Sequence, residues 1–296
     1  MMLDLLPIFA QQIINGLVLG SIYVLATLGL TLIFGVLGQI NFAHADFVML
    51  GAFAAYFVAR ATGGNYLLGI VAALLVGALL GGIINAAVFS PLRGLDETRP
   101  LVATIGVSIL LENAGLAFLG PVPYTFDSPY SNQVIRAGGM FFTVQNLLVV
   151  IIAVLAVGSL YAFMKLTFVG KALRALSQDH EAAGLMGINQ KQLIALTFVI
   201  GSAFAGLAGA MLGPILVLTP FAGASVIIKA FAIVIIGGFG NIEGTIVAGL
   251  LIGLIESLTT QFLSPGMSDI VVFGLLLFTL AFRPTGLIAE RREENV

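Results

Sequence analysis

The chain has 296 residues, 59% of them hydrophobic and only 9% charged, with a mean hydropathy of +1.13 and a net charge of −2. Soluble domains carry about 25% charged residues, so the composition excludes an ordinary soluble globule and defines a polytopic membrane protein, while the slight acidity leaves no basic footprint for nucleic acid. The absence of Cys removes disulfides and thiolate chemistry, and the absence of Trp leaves Tyr and the 22 Phe to build any interfacial aromatic belt.

At the start, Met1-Met2-Leu3-Asp4 places an acid where a secretory signal would carry Lys or Arg, and the apolar run behind it is too long for a signal core, so the first segment is expected to be retained. A spanning helix needs about 20 mostly apolar residues. Windows of that kind run Ile13 to Val36, Leu67 to Phe89, Leu101 to Leu119, Leu147 to Met164, Leu193 to Ile215, Thr245 to Leu263 and Ile270 to Phe282. Phe47 to Val58 and Val226 to Ile236 are too short to span, which predicts broken or re-entrant helices shielded inside the protein. The fold class is therefore all-α: a polytopic membrane helical bundle of about eight or nine hydrophobic segments, some broken or re-entrant, forming a single transmembrane domain over 1–296.

Lys and Arg collect in three places: Arg93 and Arg99; Lys165, Lys171, Arg174 and Lys191; and the tail with Arg283, Arg291 and Arg292. Basic loops face the cytoplasm. The stretch Gly120 to Thr143, with Arg136 alone and turns enforced by Pro121, Pro123 and Pro129, reads as an external loop. Segment parity agrees from Arg99 onward; the N-terminal parity is left open by the short second segment.

The longest polar excursion, 167–192, lies between two spans and is expected to be a cytoplasmic surface for a soluble partner, the bland alternative being a solvated connector. An internal echo follows: Gly35, Gly38, Ile40 and Gly51 recur 202 positions later as Gly237, Gly240, Ile242 and Gly253, with Gln39 matched by Asn241 and Asn41 by Glu243. Paired Gly-interrupted segments mark discontinuous helices lining a path near the bilayer midplane in many transporters; the alternative is that these glycines serve close helix packing.

An ionisable side chain at bilayer depth costs roughly 3 kcal/mol on insertion scales, so three deserve weighing. Lys229 and Glu256 lie at nearly equal depth from the outer ends of consecutive segments, differing by about 4 Å at 1.5 Å per residue, and are expected to pair near the external mouth of the path, unless Lys229 snorkels to the interface. Glu112 reads as structural, facing a wet cavity or a partner. Asn41, His44 and Asp46 suit a capping or backbone-satisfying role at a helix break better than metal or proton chemistry, because one His with one acid lacks a ligand set. No His-Glu-x-x-His, Gly-x-Ser-x-Gly or P-loop occurs, so the chain has no ATPase site of its own and an intramembrane hydrolase lacks its nucleophile and base.

Four stretches then carry a resemblance over nearly the whole chain: Gly38 through Asp46; Glu181-Ala182-Ala183-Gly184-Leu185-Met186-Gly187-Ile188-Asn189; Lys229-Ala230-Phe231 leading into Gly237-Gly238-Phe239-Gly240-Asn241-Ile242-Glu243-Gly244; and Arg283-Pro284-Thr285-Gly286-Leu287. In their order and spacing the chain resembles the permease subunits of bacterial ABC importers for branched-chain amino acids, of the leucine/isoleucine/valine H-type with its urea and amide relatives. The resemblance implies an inner-membrane subunit that pairs with a second, paralogous permease, binds two cytoplasmic ATPases carrying ATP and Mg, and receives substrate from a periplasmic binding protein. It also implies that 181–189 is the coupling segment seated in a groove on the ATPase, with Leu173, Leu176 and Leu185 as apolar anchors and Lys171, Arg174 and Glu181 as a polar rim, and that substrate passes along the seam between the two permeases. The alternative from another class is a self-contained secondary transporter or channel for a small polar solute, with Lys229 or Glu256 coupling an ion.

Overall fold

A backbone N–H or C=O left unpaired in hydrocarbon costs several kcal/mol, so an apolar segment of about 20 residues closes its hydrogen bonds on itself as a helix. The computed structural model, which describes residues 2–288 apart from Glu97 and Gly138, follows that rule throughout. In chain order the helices are α1 (Met2–Leu37), α2 (His44–Ala61), α3 (Tyr66–Ile84), which runs through a π turn (Asn85–Phe89) into α4 (Ser90–Leu92), α5 (Thr98–Leu119), α6 (Val144–Leu166), α7 (Phe168–Gln178), α8 (His180–Leu185), α9 (Gln190–Leu212), α10 (Ala222–Gly237), α11 (Ile242–Phe262) and α12 (Pro265–Phe282). The π turn precedes Pro91, whose ring and missing N–H cannot join a regular ladder.

Among the described residues seven helices are long and apolar enough to cross a membrane: α1, the α3–α4 rod, α5, α6, α9, α11 and α12. The two short windows become α2 and α10; α10 has 16 residues, whereas α2 extends beyond its apolar window to 18, the length of α12. Arg291 and Arg292, counted among the cytoplasmic charges, lie outside the described residues.

The two faces of the membrane are told apart by what α1 touches at each end. Near its N-terminus Gln11 pairs with the edge of a hairpin, donating to the Phe141 carbonyl at 2.7 Å and accepting from the Phe141 N–H at 2.8 Å. That hairpin, β1 (Val134–Ala137) against β2 (Met140–Thr143), sits inside the segment read as an external loop and is the one departure from the all-helical expectation among the described residues. At the other end, His180 of α8 meets the Val36 carbonyl at 2.8 Å, which puts the C-terminus of α1 on the side of the basic loops. The N-terminal parity left open by the sequence is thereby fixed: α1 enters from the hairpin side.

After α1 the chain doubles back. The His44 ring bonds the Ala26 carbonyl at 3.0 Å, and Ala26 lies eleven residues, about 16 Å, along α1 from Leu37. α2 therefore begins at mid-height and runs to the outer side, where Phe53 and Tyr56 pack edge-on against Tyr124. α10 is its counterpart. A Cβ on Gly223 would lie 2.8 Å from the Asp46 Oδ1, so the N-termini of the two partial helices meet at mid-height, α2 leading outward and α10 inward.

Glycine sets the packing distances. A Cβ at Gly253 of α11 would stand 2.3 Å from the Gly20 nitrogen of α1, and one at Gly206 of α9 would stand 2.2 Å from the Ala73 carbonyl of α3. Lipid supplies no hydrophobic drive between helices, and backbones gain van der Waals contact by approaching where side chains are absent. The core around these seams contains Leu25, Leu28, Ile33, Phe47, Phe198 and Met211, all essentially without exposure.

Candidate functional site

The excursion between α6 and α9 is helical rather than a loop. Thr167 caps α7 by accepting from the Gly170 N–H at 2.9 Å, and Asp179 caps α8 by accepting from Glu181 and Ala182 at 2.8 and 3.0 Å. These caps force a sharp corner between two short helices. Leu173 and Leu176, expected to anchor an ATPase, are 0% exposed and packed into the permease core, so they cannot meet a partner. The correction is physical: an amphipathic helix at the membrane edge satisfies its apolar stripe first against its own bundle. Leu185 stands as expected, 90% exposed, with Met186 beside it at 83%.

The remaining predicted coupling residues cluster around that apolar tip. Arg174, Glu181, Ala182, Gly184, Gly187 and Asn189 are exposed, Ile188 is half-buried, and Ala183 is buried against the bundle. Gly187 has φ +81°, the left-handed turn that ends α8. Ile188 closes the turn by donating to the Ala183 carbonyl at 3.1 Å, and Asn189 caps α9 by accepting from Gln192 at 3.3 Å. Gln190 donates to the His180 carbonyl at 2.6 Å, tying the start of α9 to the start of α8. Sequence reasoning missed His180, the bond from this corner to the end of α1; a lone His in a polar stretch carries no signal for it.

The two predicted helix breaks lie together, at the inner end rather than at the midplane. Gly38 ends α1 with φ +68° and donates to the Phe34 carbonyl at 2.7 Å; Gly238 (φ +106°) and Gly240 (φ +76°) turn the chain from α10 into α11. They touch: a Cβ on Gly35 would reach the Gly240 Cα at 3.0 Å, and Phe34 packs on Phe239 with centroids 4.5 Å apart. Gly237 lies against Gly244 so closely that a Cβ on Gly244 would fall 1.9 Å from the Gly237 carbonyl oxygen. The Gly237–Asn241 stretch is thus a helix break as expected, folded as a tight reversal between α10 and α11; sequence periodicity fixes neither where a chain reverses nor its depth.

The tail explains why this reversal holds. Leu287 donates to the Ile236 carbonyl at 2.7 Å, Asn241 caps α11 by accepting from Gly244 at 2.8 Å, and its amide donates to the Ile288 carbonyl at 3.1 Å. Arg174, Gly240 and Glu243 line one inner cavity of about 250 Å³ together with Lys165, so these predicted residues do meet. The exposed Glu243 carboxylate, in the first turn of α11, suits the positive end of that helix.

At mid-height, no side chain caps α2, but Asn41 accepts from the Ala43 N–H at 3.1 Å and the His44 ring bonds the Ala26 carbonyl at 3.0 Å, so of the two expected roles these two residues take the backbone-satisfying one. Asp46 is buried in the first turn of α2 and faces the start of α10, between two positive helix ends. Glu112 is half-buried on α5.

Lys229 and Glu256 do come together: Nζ to Oε1 is 2.5 Å, Tyr23 donates to the other carboxylate oxygen at 2.7 Å, and Asp269 of α12 stands 3.6 Å from the same ammonium. The cluster sits at the floor, not the mouth, of an outward-opening cavity of about 500 Å³. Both charged heads are partly hydrated, at 17% and 14% exposure, which with their mutual contact relieves the penalty of bilayer depth. Toward the inner side the cavity is closed by Leu30, Ala230 and Val234, and by a Thr31–Thr245 hydroxyl bond of 2.8 Å.

A multi-pass helical bundle with one cavity opening at its outer end and another at its inner, basic end has the build of a membrane transport protein. The chain belongs to the family of branched-chain amino acid transport system permease components, whose model matches residues 12–280. It is 34% identical to the high-affinity branched-chain amino acid transport system permease protein LivH of Salmonella typhimurium, over 97% of this chain and 98% of that one, and 33% identical to BraD of Pseudomonas aeruginosa over the same shares. The LivM permease protein of Escherichia coli is 25% identical over 93% of this chain and 70% of its own length. No solved structure matches the chain.

Proposed function

We propose that this chain is the permease subunit of an ATP-driven importer of branched-chain aliphatic amino acids in the bacterial inner membrane. It works with a second permease of related sequence, two cytoplasmic ATPases and a periplasmic binding protein. The likeness to both LivH and LivM supports a paralogue as the second permease.

The observation that carries the reading is the α8 corner: an exposed Leu185–Met186 tip on a short helix whose first residue is bonded to the end of α1. A partner that grips this tip differently in its open and closed states would shift α1, and with it the inner reversal that Gly35 packs against; without differential contacts no population shift follows. Small exposed apolar tips framed by polar residues are what a docking surface presents. Reconstitution tests the reading. Proteoliposomes with all subunits should take up leucine only with ATP and loaded binding protein; equal uptake by this chain alone would establish instead the self-contained carrier, the reading favoured only by the intramembrane ion pair.

A further inference from the structure

We propose that the outward cavity within this one chain is a receiving site for a zwitterionic aliphatic amino acid, which it holds by its charged head at Lys229 and Asp269 and by its side chain on an apolar wall. The inference rests on the importer reading and locates that importer's substrate among the residues of a single permease chain.

Three features carry it. The volume, about 500 Å³, lies within the roughly 300–1,000 Å³ of small-molecule sites. Its floor holds one ammonium and two carboxylates, of which Glu256 is engaged by both Lys229 and Tyr23 while Asp269 is 61% exposed and only loosely held at 3.6 Å. One carboxylate therefore faces the cavity without close compensation. A ligand carrying both charges can set its ammonium on Asp269 and its carboxylate on the Lys229 N–H left over from Glu256 and Tyr23, while leaving the net charge of the floor unchanged. A simple anion would add to two carboxylates already present, and a simple cation would compete with Lys229, so both are disfavoured at this depth. The third feature is the wall: Val18, Leu19, Leu212, Ile215, Leu216 and Val226 line the same cavity, matching a branched aliphatic side chain.

The geometry also gives the site its gate. Leu30, Ala230 and Val234 close the floor beneath Lys229, and the inner cavity begins at Thr31, one residue further along α1. Movement of α1 or α10 that parts this plug would join the two.

The test uses the full importer in proteoliposomes at a fixed concentration of loaded binding protein. Asp269→Asn is expected to lower leucine uptake about tenfold, the loss of one charge-assisted contact, and Asp269→Glu to retain it. Leu216→Trp, which narrows the wall at an exposed position, is expected to lower the leucine-to-alanine uptake ratio about tenfold, whereas Leu79→Trp on the outer face of α3 leaves it unchanged. Wild-type leucine uptake in Asp269→Asn, equal losses in Asp269→Asn and Asp269→Glu, or an unaltered ratio in Leu216→Trp each overturn the site. Failure of the wild-type assembly to transport amino acids, or transport without the ATPases, refutes the importer reading instead.

Discussion

The outer and inner halves of the α1–α10–α11 unit solve opposite problems with the same three helices. The outer half is splayed around water and charge: Tyr23, Lys229 and Glu256 hold one another by side-chain contacts that leave a cavity above them. The inner half closes on its glycines. Gly35, Gly237, Gly240 and Gly244 bring backbone against backbone, and the tail adds main-chain bonds from Leu287 and Ile288. An ion pair among long side chains can rearrange within its rotamers, whereas glycine contacts at van der Waals limits move only as a body. On the proposed function, accommodation belongs to the outer end and force transmission to the inner one, where His180 of α8 bonds the end of α1.

The sharpest way to break this contrast is to put a side chain into the inner end. Gly244→Leu is expected to prevent the α10–α11 reversal, because its Cβ alone would fall 1.9 Å from the Gly237 carbonyl oxygen. The loss should exceed about 3 kcal/mol, the upper range for overpacking, and appear as failure to recover monodisperse protein from detergent. Gly184→Arg probes the same end without touching its glycine contacts: an added Cβ there would lie 2.8 Å from the Gln190 Nε2 and displace the side chain that ties α9 to His180. That variant should insert and stay folded while ATP-driven uptake is lost, measured as leucine uptake against thermal unfolding in detergent.

At the outer end effects should be smaller and separable. Lys229→Met leaves Glu256 facing Tyr23 without its cation and is expected to lower stability by about 2 kcal/mol, below the range for a fully buried pair because both heads are partly hydrated. The double variant Lys229→Glu with Glu256→Lys should recover the stability that either reversal alone loses, read by thermal unfolding in detergent, but not uptake, because it sets a carboxylate beside Asp269; no recovery of stability would count against the pair. Smallest is Asn241→Ala, where loss of the cap on α11 is worth about 1 kcal/mol in thermal denaturation.

Much of the architecture was legible because lipid leaves so few options. An apolar window of sufficient length has to be a helix, a window that is too short has to be shielded, and Lys and Arg mark the cytoplasmic side. That reasoning reached the seven spans, the partial helices α2 and α10, and the meeting of Lys229 with Glu256. What it missed depends on direction and depth. Leu173 and Leu176 form an apolar stripe whichever way α7 faces, and only packing shows that the stripe turns inward. The recurring glycines at 35, 38, 237 and 240 do correspond, with φ of +68° at Gly38 and +76° at Gly240, but a repeat in sequence carries no height in the bilayer. The true partner of the α2 start is the start of α10, where Gly223 abuts Asp46, and no residue pattern announces that contact. The β1–β2 hairpin was hidden for another reason: four-residue strands are too short for alternation to stand out.

The central claim is that the α8 tip is the point where an external motor takes hold, and the absence of Cys from the chain offers a clean handle on it. Leu185→Cys should be labelled readily by a soluble maleimide in the isolated permease. In the transporting assembly the account predicts that Leu185→Cys is protected and cross-links to the ATPase subunit, with an efficiency that changes on ATP addition. Full reactivity of that cysteine in an assembly actively importing substrate would contradict it.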